Sequence, residues 1–164
     1  MSKVAGQERS GKDLRKFRDW IGAVDGGGDN AYLLLLDFEP TDNAALVARV
    51  EEGFPYRALE RLRCNVGLSR EALGDLVQIK PRTLDRRREG GRLRPEESDR
   101  LLRAARVFGG TIALFEGDAD AARTWLSSSQ RALGGAVPLE MARTEVGARE
   151  VENLVGRLEH GVFS

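Results

Sequence analysis

The stretch from Ser69 to Gly91 constrains this chain more than any other, because it spells a short helix, a tight turn and a second short helix. Ser69 is a good N-cap, since its hydroxyl can accept a hydrogen bond from an otherwise unpaired amide. Ala72, Leu73, Leu76 and Val77 then fall on one helical face. Gln78-Ile79-Lys80 interrupts that pattern, and Pro81 suits the first position of a new helix because no amide is needed there. In the second helix, Pro81-Arg82-Thr83-Leu84-Asp85-Arg86-Arg87-Arg88, Leu84 is the only large apolar residue. The helix therefore has one anchor and a wide polar surface. That is the layout of a helix-turn-helix, whose second helix lies in the DNA major groove.

The arginines suit this role because a planar guanidinium can bond guanine edges bidentately and pair with phosphate. The spacing assigns Lys80, Arg82, Thr83 and Arg86 to the groove-facing side, with Arg87 and Arg92 nearer the DNA backbone. The competing reading is a solvated charged helix, and Asp85 and Glu89 do dilute the field. Charge distribution favours DNA. The whole chain is neutral, yet residues 80–106 carry ten Lys or Arg against five Asp or Glu. The flanks carry small negative excesses, so the positive charge is concentrated in one stretch, where it can steer DNA.

A chain of 164 residues holds one ordinary domain or two small ones. The single cysteine, Cys64, excludes an internal disulfide framework and a multi-cysteine zinc site, and is expected as a small core residue. No signal-peptide core opens the sequence. The apolar run Leu33 to Leu36 falls far below the roughly 20 residues a membrane helix needs. The expected location is the cytosol, with no membrane contact.

Residues 1–30 read as a flexible segment containing one short amphipathic helix built on Leu14, Phe17, Trp20 and Ile21. Gly26-Gly27-Gly28 lacks the lysine and following helix of a phosphate loop and reads as a linker. Tyr32 to Phe38 suggests a strand or edge segment, whose partner a second copy in a dimer could supply. From Thr41 the chain turns helical, with Gly53 and Gly67 as stops. Pro95-Glu96-Glu97 starts a further helix with acids at the positive end of its dipole. Leu101, Leu102, Ala105 and Phe108 give that helix a core face, and Gly109-Gly110 is expected to end it. Residues 31–109 thus form one unit carrying the helix-turn-helix, and residues 110–164 a second. In the latter, Ala119, Ala122, Trp125 and Leu126 make one stripe. Thr144 caps a last helix in which Val151, Leu154, Val155 and Leu158 follow an amphipathic pattern.

Arg82-Thr83-Leu84-Asp85-Arg86-Arg87, Gly91-Arg92-Leu93 and Glu97-Ser98-Asp99-Arg100-Leu101 together resemble the DNA-binding half of the Xre/MbcA/ParS family of type II antitoxins. Ala122-Arg123-Thr124-Trp125-Leu126, Ala132-Leu133-Gly134-Gly135 and Pro138-Leu139 are similar to that family's toxin-binding half. Thr144 through Arg149 and Gly156 through Phe163 complete it. The resemblance covers about residues 46–164. Ser129-Gln130-Arg131 departs from it, standing where the family tends to carry prolines. The resemblance implies a mostly α-helical chain, a helix-turn-helix DNA-binding module followed by a small helical toxin-binding module. It also implies a RES-domain toxin that consumes NAD as partner, operator DNA as a second partner, and a homodimer within a larger toxin–antitoxin complex. Arg157, Glu159, His160, Val162, Phe163 and Ser164 would then lie against the toxin's active-site cleft.

Nothing in the residues argues for an enzyme or a cofactor. His160 is the only histidine, no second histidine or cysteine accompanies it, and the carboxylates show no paired spacing. The rival readings are a stand-alone regulator with a ligand-sensing or dimerising C-terminal module, and a module that binds protein only.

Overall fold

The computed structural model describes residues 2–23 and 30–161. These form helices α1 (Ser2–Ala23), α2 (Asn43–Glu52), α3 (Tyr56–Val66), α4 (Arg70–Leu76), α5 (Pro81–Gly90), α6 (Pro95–Leu114), α7 (Ala119–Leu126), α8 (Pro138–Met141) and α9 (Glu145–Glu159). Short 3-10 segments span Ala31–Leu36 and Arg131–Leu133. There is no β-strand among the described residues, only one antiparallel bridge between Pro55 and Arg92.

The apolar run after Asn30 is therefore a 3-10 segment and not the expected strand. Asn30 and Asp37 both take the left-handed conformation, with φ of 63° and 61°, and close the segment at its two ends. Leu33, Leu34, Leu35 and Leu36 are all buried, because α1, α3 and α6 surround the segment. A run apolar on every side has no periodicity by which strand and helix can be told apart.

α1 is longer than the helix expected around Leu14 to Ile21, and where the sequence suggested a flexible lead-in, Asp13 and Phe17 are buried. The Asp13 carboxylate pairs with Arg61 and accepts from Asn65 Nδ2 at 3.1 Å, while Asn65 also donates to the Leu35 carbonyl at 2.8 Å. A buried carboxylate needs such partners, so these bonds fix α1 against α3. The glycine run Gly26-Gly27-Gly28 lies outside the described residues.

α6 does not stop at Gly109-Gly110 but continues to Leu114. Gly109 serves close approach instead: a Cβ there would sit 2.6 Å from the Cβ of Tyr32. The helix crosses the division expected at residue 109, and one hydrophobic core joins residues on both sides of it, from Leu62 and Leu84 to Ala122 and Val151. Cys64, expected in that core, is only half-buried, 3.7 Å from Arg63 Nη2.

Candidate functional site

Ser69 caps α4 as its type suggests, its hydroxyl accepting from the Ala72 amide at 3.0 Å. The turn to α5 is closed by the Ile79 amide donating to the Gly74 carbonyl at 2.9 Å. Gly74 is where the two helices meet, since a Cβ there would lie 3.0 Å from the Ile79 oxygen and 3.2 Å from Leu84 Cδ1. Leu84 is the only buried residue of α5. An isolated glycine inside the α4 pattern was the available signal for this contact.

Two ion pairs hold α5 in place. Arg70 reaches across from α4 to Asp85 at 2.7 Å, which offsets the acid that would dilute the basic face. Arg87 donates to Glu97 at 2.6 Å, with side chains only 14% and 6% exposed. Glu97 also accepts from the Arg94 amide at 2.8 Å and so caps α6. Burial opposes ionisation of Glu97, but the bonds from Arg87 and the Arg94 amide outweigh it and hold the carboxyl below its ordinary range.

The expected DNA-contacting residues consequently divide. Lys80, Arg82 and Arg86 are exposed and Thr83 is half-buried, all near the start of α5. Arg86 Nη2 lies 3.3 Å from Thr83 Oγ1. Among the described residues Lys80 and Arg82 have no ion-pair partner. Arg87, expected nearer the DNA backbone, instead turns its guanidinium to Glu97 and is largely buried. Arg92 donates to the Gly53 carbonyl at 2.6 Å and stays half exposed.

At the other end, α9 packs on α6, and its Ala148, Val151 and Val155 join the hydrophobic core shared with that helix. Arg106 pairs with Glu152 at 2.8 Å, and Arg103 with Glu145 at 3.1 Å. Burial opposes ionisation of Glu145, but Arg149, Arg106 and Arg103 together keep it below the usual carboxylate range. Thr144 caps α9 by accepting from Gly147 at 3.0 Å, and Gly147 lies so close to the Met141 carbonyl that no side chain fits. In the loop after α7, Gln130 donates to Trp125 O at 2.9 Å and Ser129 to Gly135 O at 2.5 Å. Leu126 is buried and Trp125 partly so, packed into the core.

Arg157 is half-buried, whereas Glu159 and His160 are exposed beside a cavity of about 600 Å³. Phe17, Ile21, Tyr32 and Ala113 also line it. Val162, Phe163 and Ser164 lie outside the described residues. Among those described, no group of three or more His, Cys, Asp or Glu is placed to hold a metal, and no helix is long and apolar enough to cross a membrane.

Residues 45–106 match the family model of the antitoxin Xre-like helix-turn-helix domain, and residues 103–161 that of the antitoxin Xre/MbcA/ParS C-terminal toxin-binding domain. The chain is 39% identical over 120 residues to Antitoxin Xre of Yersinia enterocolitica, covering 73% of this chain and 81% of that protein. This chain belongs to the Xre/MbcA/ParS antitoxin family. It is also 35% identical over 131 residues to Antitoxin Xre of Photorhabdus laumondii, covering 77% and 86% of the two chains. A Prs ADP-ribosylating antitoxin of a Sphingobium species is 26% identical over 143 residues, 82% of this chain and 88% of its own. In this antitoxin the two matched domains meet inside α6, the helix whose first half carries Glu97 and whose second half carries Arg106.

Proposed function

We propose that this antitoxin reads its own operator with Lys80, Arg82, Thr83 and Arg86 and represses its operon, while its C-terminal domain holds a RES-type, NAD-consuming toxin inactive. The observation that carries the DNA half is the division of the arginines on α5: Arg87 is turned inward to Glu97, while Arg82 and Arg86 face solvent beside Lys80. Guanidiniums left outward at the start of a second helix are placed for base edges in the major groove. Arg92, whose side chain is half exposed, would lie nearer the DNA backbone. Two copies would read paired half-sites as a homodimer.

Toxin capture is assigned to residues 110–164 and DNA reading to residues 31–109, with α6 shared. Arg157, Glu159 and His160, with Val162, Phe163 and Ser164 beyond them, would enter the toxin's cleft and occlude it. The name of the Sphingobium relative, a Prs ADP-ribosylating antitoxin, supports an NAD-consuming partner, since ADP-ribosylation draws its group from NAD. The antitoxin itself needs no catalytic group or cofactor for this and would act in the cytosol.

Co-expression with a RES-domain toxin tests the assignment. Full-length antitoxin should preserve cellular NAD and growth, and a chain lacking residues 157–164 should preserve neither while still shifting operator DNA. Undiminished protection by the shortened chain would remove the occlusion role.

A further inference from the structure

Gln78 holds the left-handed conformation, φ 55°, in the turn between α4 and α5. Turns of this kind often carry glycine, because a Cβ is strained there. Here a long amide stands instead, and it reaches across the molecule. Gln78 Nε2 donates to the carbonyl of Arg143 at 2.5 Å, in the elbow between α8 and α9. The same carbonyl accepts from Arg103 Nη1 of α6 at 3.2 Å, and Arg103 also pairs with Glu145 at the start of α9. The preceding residue of the turn is tied as well, the Val77 carbonyl accepting from Arg100 Nε at 2.6 Å. The turn is thus fastened to α6 on one side and to the toxin-binding domain on the other.

α5 begins three residues after Gln78, with Lys80 at its N-cap, and is otherwise held by the buried Leu84 and by the ion pairs of Asp85 and Arg87. Those holds lie at Leu84 and beyond, so a small rotation of the turn is felt first at the N-terminal end of α5, and Arg82 and Arg86 move with it. We propose that Gln78 is a positioning residue, through which the α8–α9 elbow of the toxin-binding domain sets the pitch of the DNA-reading helix. This rests on the DNA-reading role proposed above. By thermodynamic linkage, an event on α9 that alters this bond changes operator affinity, and operator binding acts back on α9 by the same factor.

The full chain with Gln78→Gly or Gln78→Asn tests it. Glycine removes the amide and relieves the backbone, while asparagine tolerates the left-handed conformation but falls a methylene short. Each variant is measured by fluorescence anisotropy on a duplex from upstream of its own gene and on a random duplex of equal length, alongside a thermal melt. Both should melt within about 3 °C of wild type or above it. Operator affinity should fall about fivefold, the worth of one hydrogen bond, with random-duplex affinity unchanged. Wild-type operator affinity in Gln78→Gly overturns the inference. So does an equal loss on both duplexes together with a lowered melting temperature, which would mark a merely structural turn. Wild-type protein that does not prefer its operator to random DNA would instead sink the DNA-reading role, and this inference with it.

Discussion

α5 and α9 are both amphipathic by sequence, yet they are held in opposite ways. α9 lies on α6 with Ala148, Val151 and Val155 in the shared core, and its charges at Glu145, Arg149 and Glu152 are paired. α5 buries one side chain and is kept in place from its edges by Arg70–Asp85 and Arg87–Glu97. The contrast separates arginines that build from arginines that remain available. On α5 the two kinds are neighbours, Arg86 exposed and Arg87 turned inward. Proximity in sequence therefore says little about role, and the location of the partner carboxylate decides it.

The largest effect should come from the outward pair. Arg82→Ala with Arg86→Ala is expected to weaken operator binding on the order of a thousandfold, at about 1–3 kcal/mol for each bidentate base contact. Stability in denaturant should change by less than about 0.5 kcal/mol, as for other surface positions. A large loss of stability would break the contrast at once.

Arg87→Ala should show the reverse pattern. Glu97 would remain buried without its cation, which costs about 3 kcal/mol when one partner of a buried pair is removed. Chemical denaturation measures that loss, and DNA titration below the transition should show a far smaller effect than the double variant. A stable Arg87→Ala protein with abolished operator binding would return Arg87 to the DNA-contacting set.

The smallest effect concerns acid. Glu97 and Glu145 both have lowered carboxyl pKa values in the folded chain, so each contributes stability above its ordinary value of 4.5. That contribution is lost as pH falls from about 4.5 through the lowered folded value. Glu97→Gln should flatten the acid limb of a stability–pH curve more than Glu145→Gln, because the Glu97 side chain is 6% exposed and that of Glu145 46%. Equal flattening would mean that burial does not distinguish the two helices' supports.

What the sequence disclosed follows the range of the interactions involved. Ser69, Pro81, Thr144 and the spacing of Leu84 act within one turn of chain, so the helix-turn-helix and the last helix were legible from residue types alone. The fate of Arg87 was not, because Glu97 lies ten residues on and the sequence between them does not reveal their approach. The burial of Asp13 was less legible still, resting on Asn65 fifty-two residues away. Gly109-Gly110 misled for a related reason: glycine inside a helix and glycine ending one look alike until the neighbour at Tyr32 is known. Leu33 to Leu36 offered no period to read, since every side of the segment is buried.

Gly109 also works as a marker. Both family models start after residue 44, yet the space at position 109 is dictated by Tyr32, which lies before that limit. A relative with any side chain at this position cannot seat a 3-10 segment against α6 in the same pose. One letter inside the matched region therefore reports on a stretch outside it, and sorting relatives by that letter separates chains that can carry this N-terminal packing from chains that cannot.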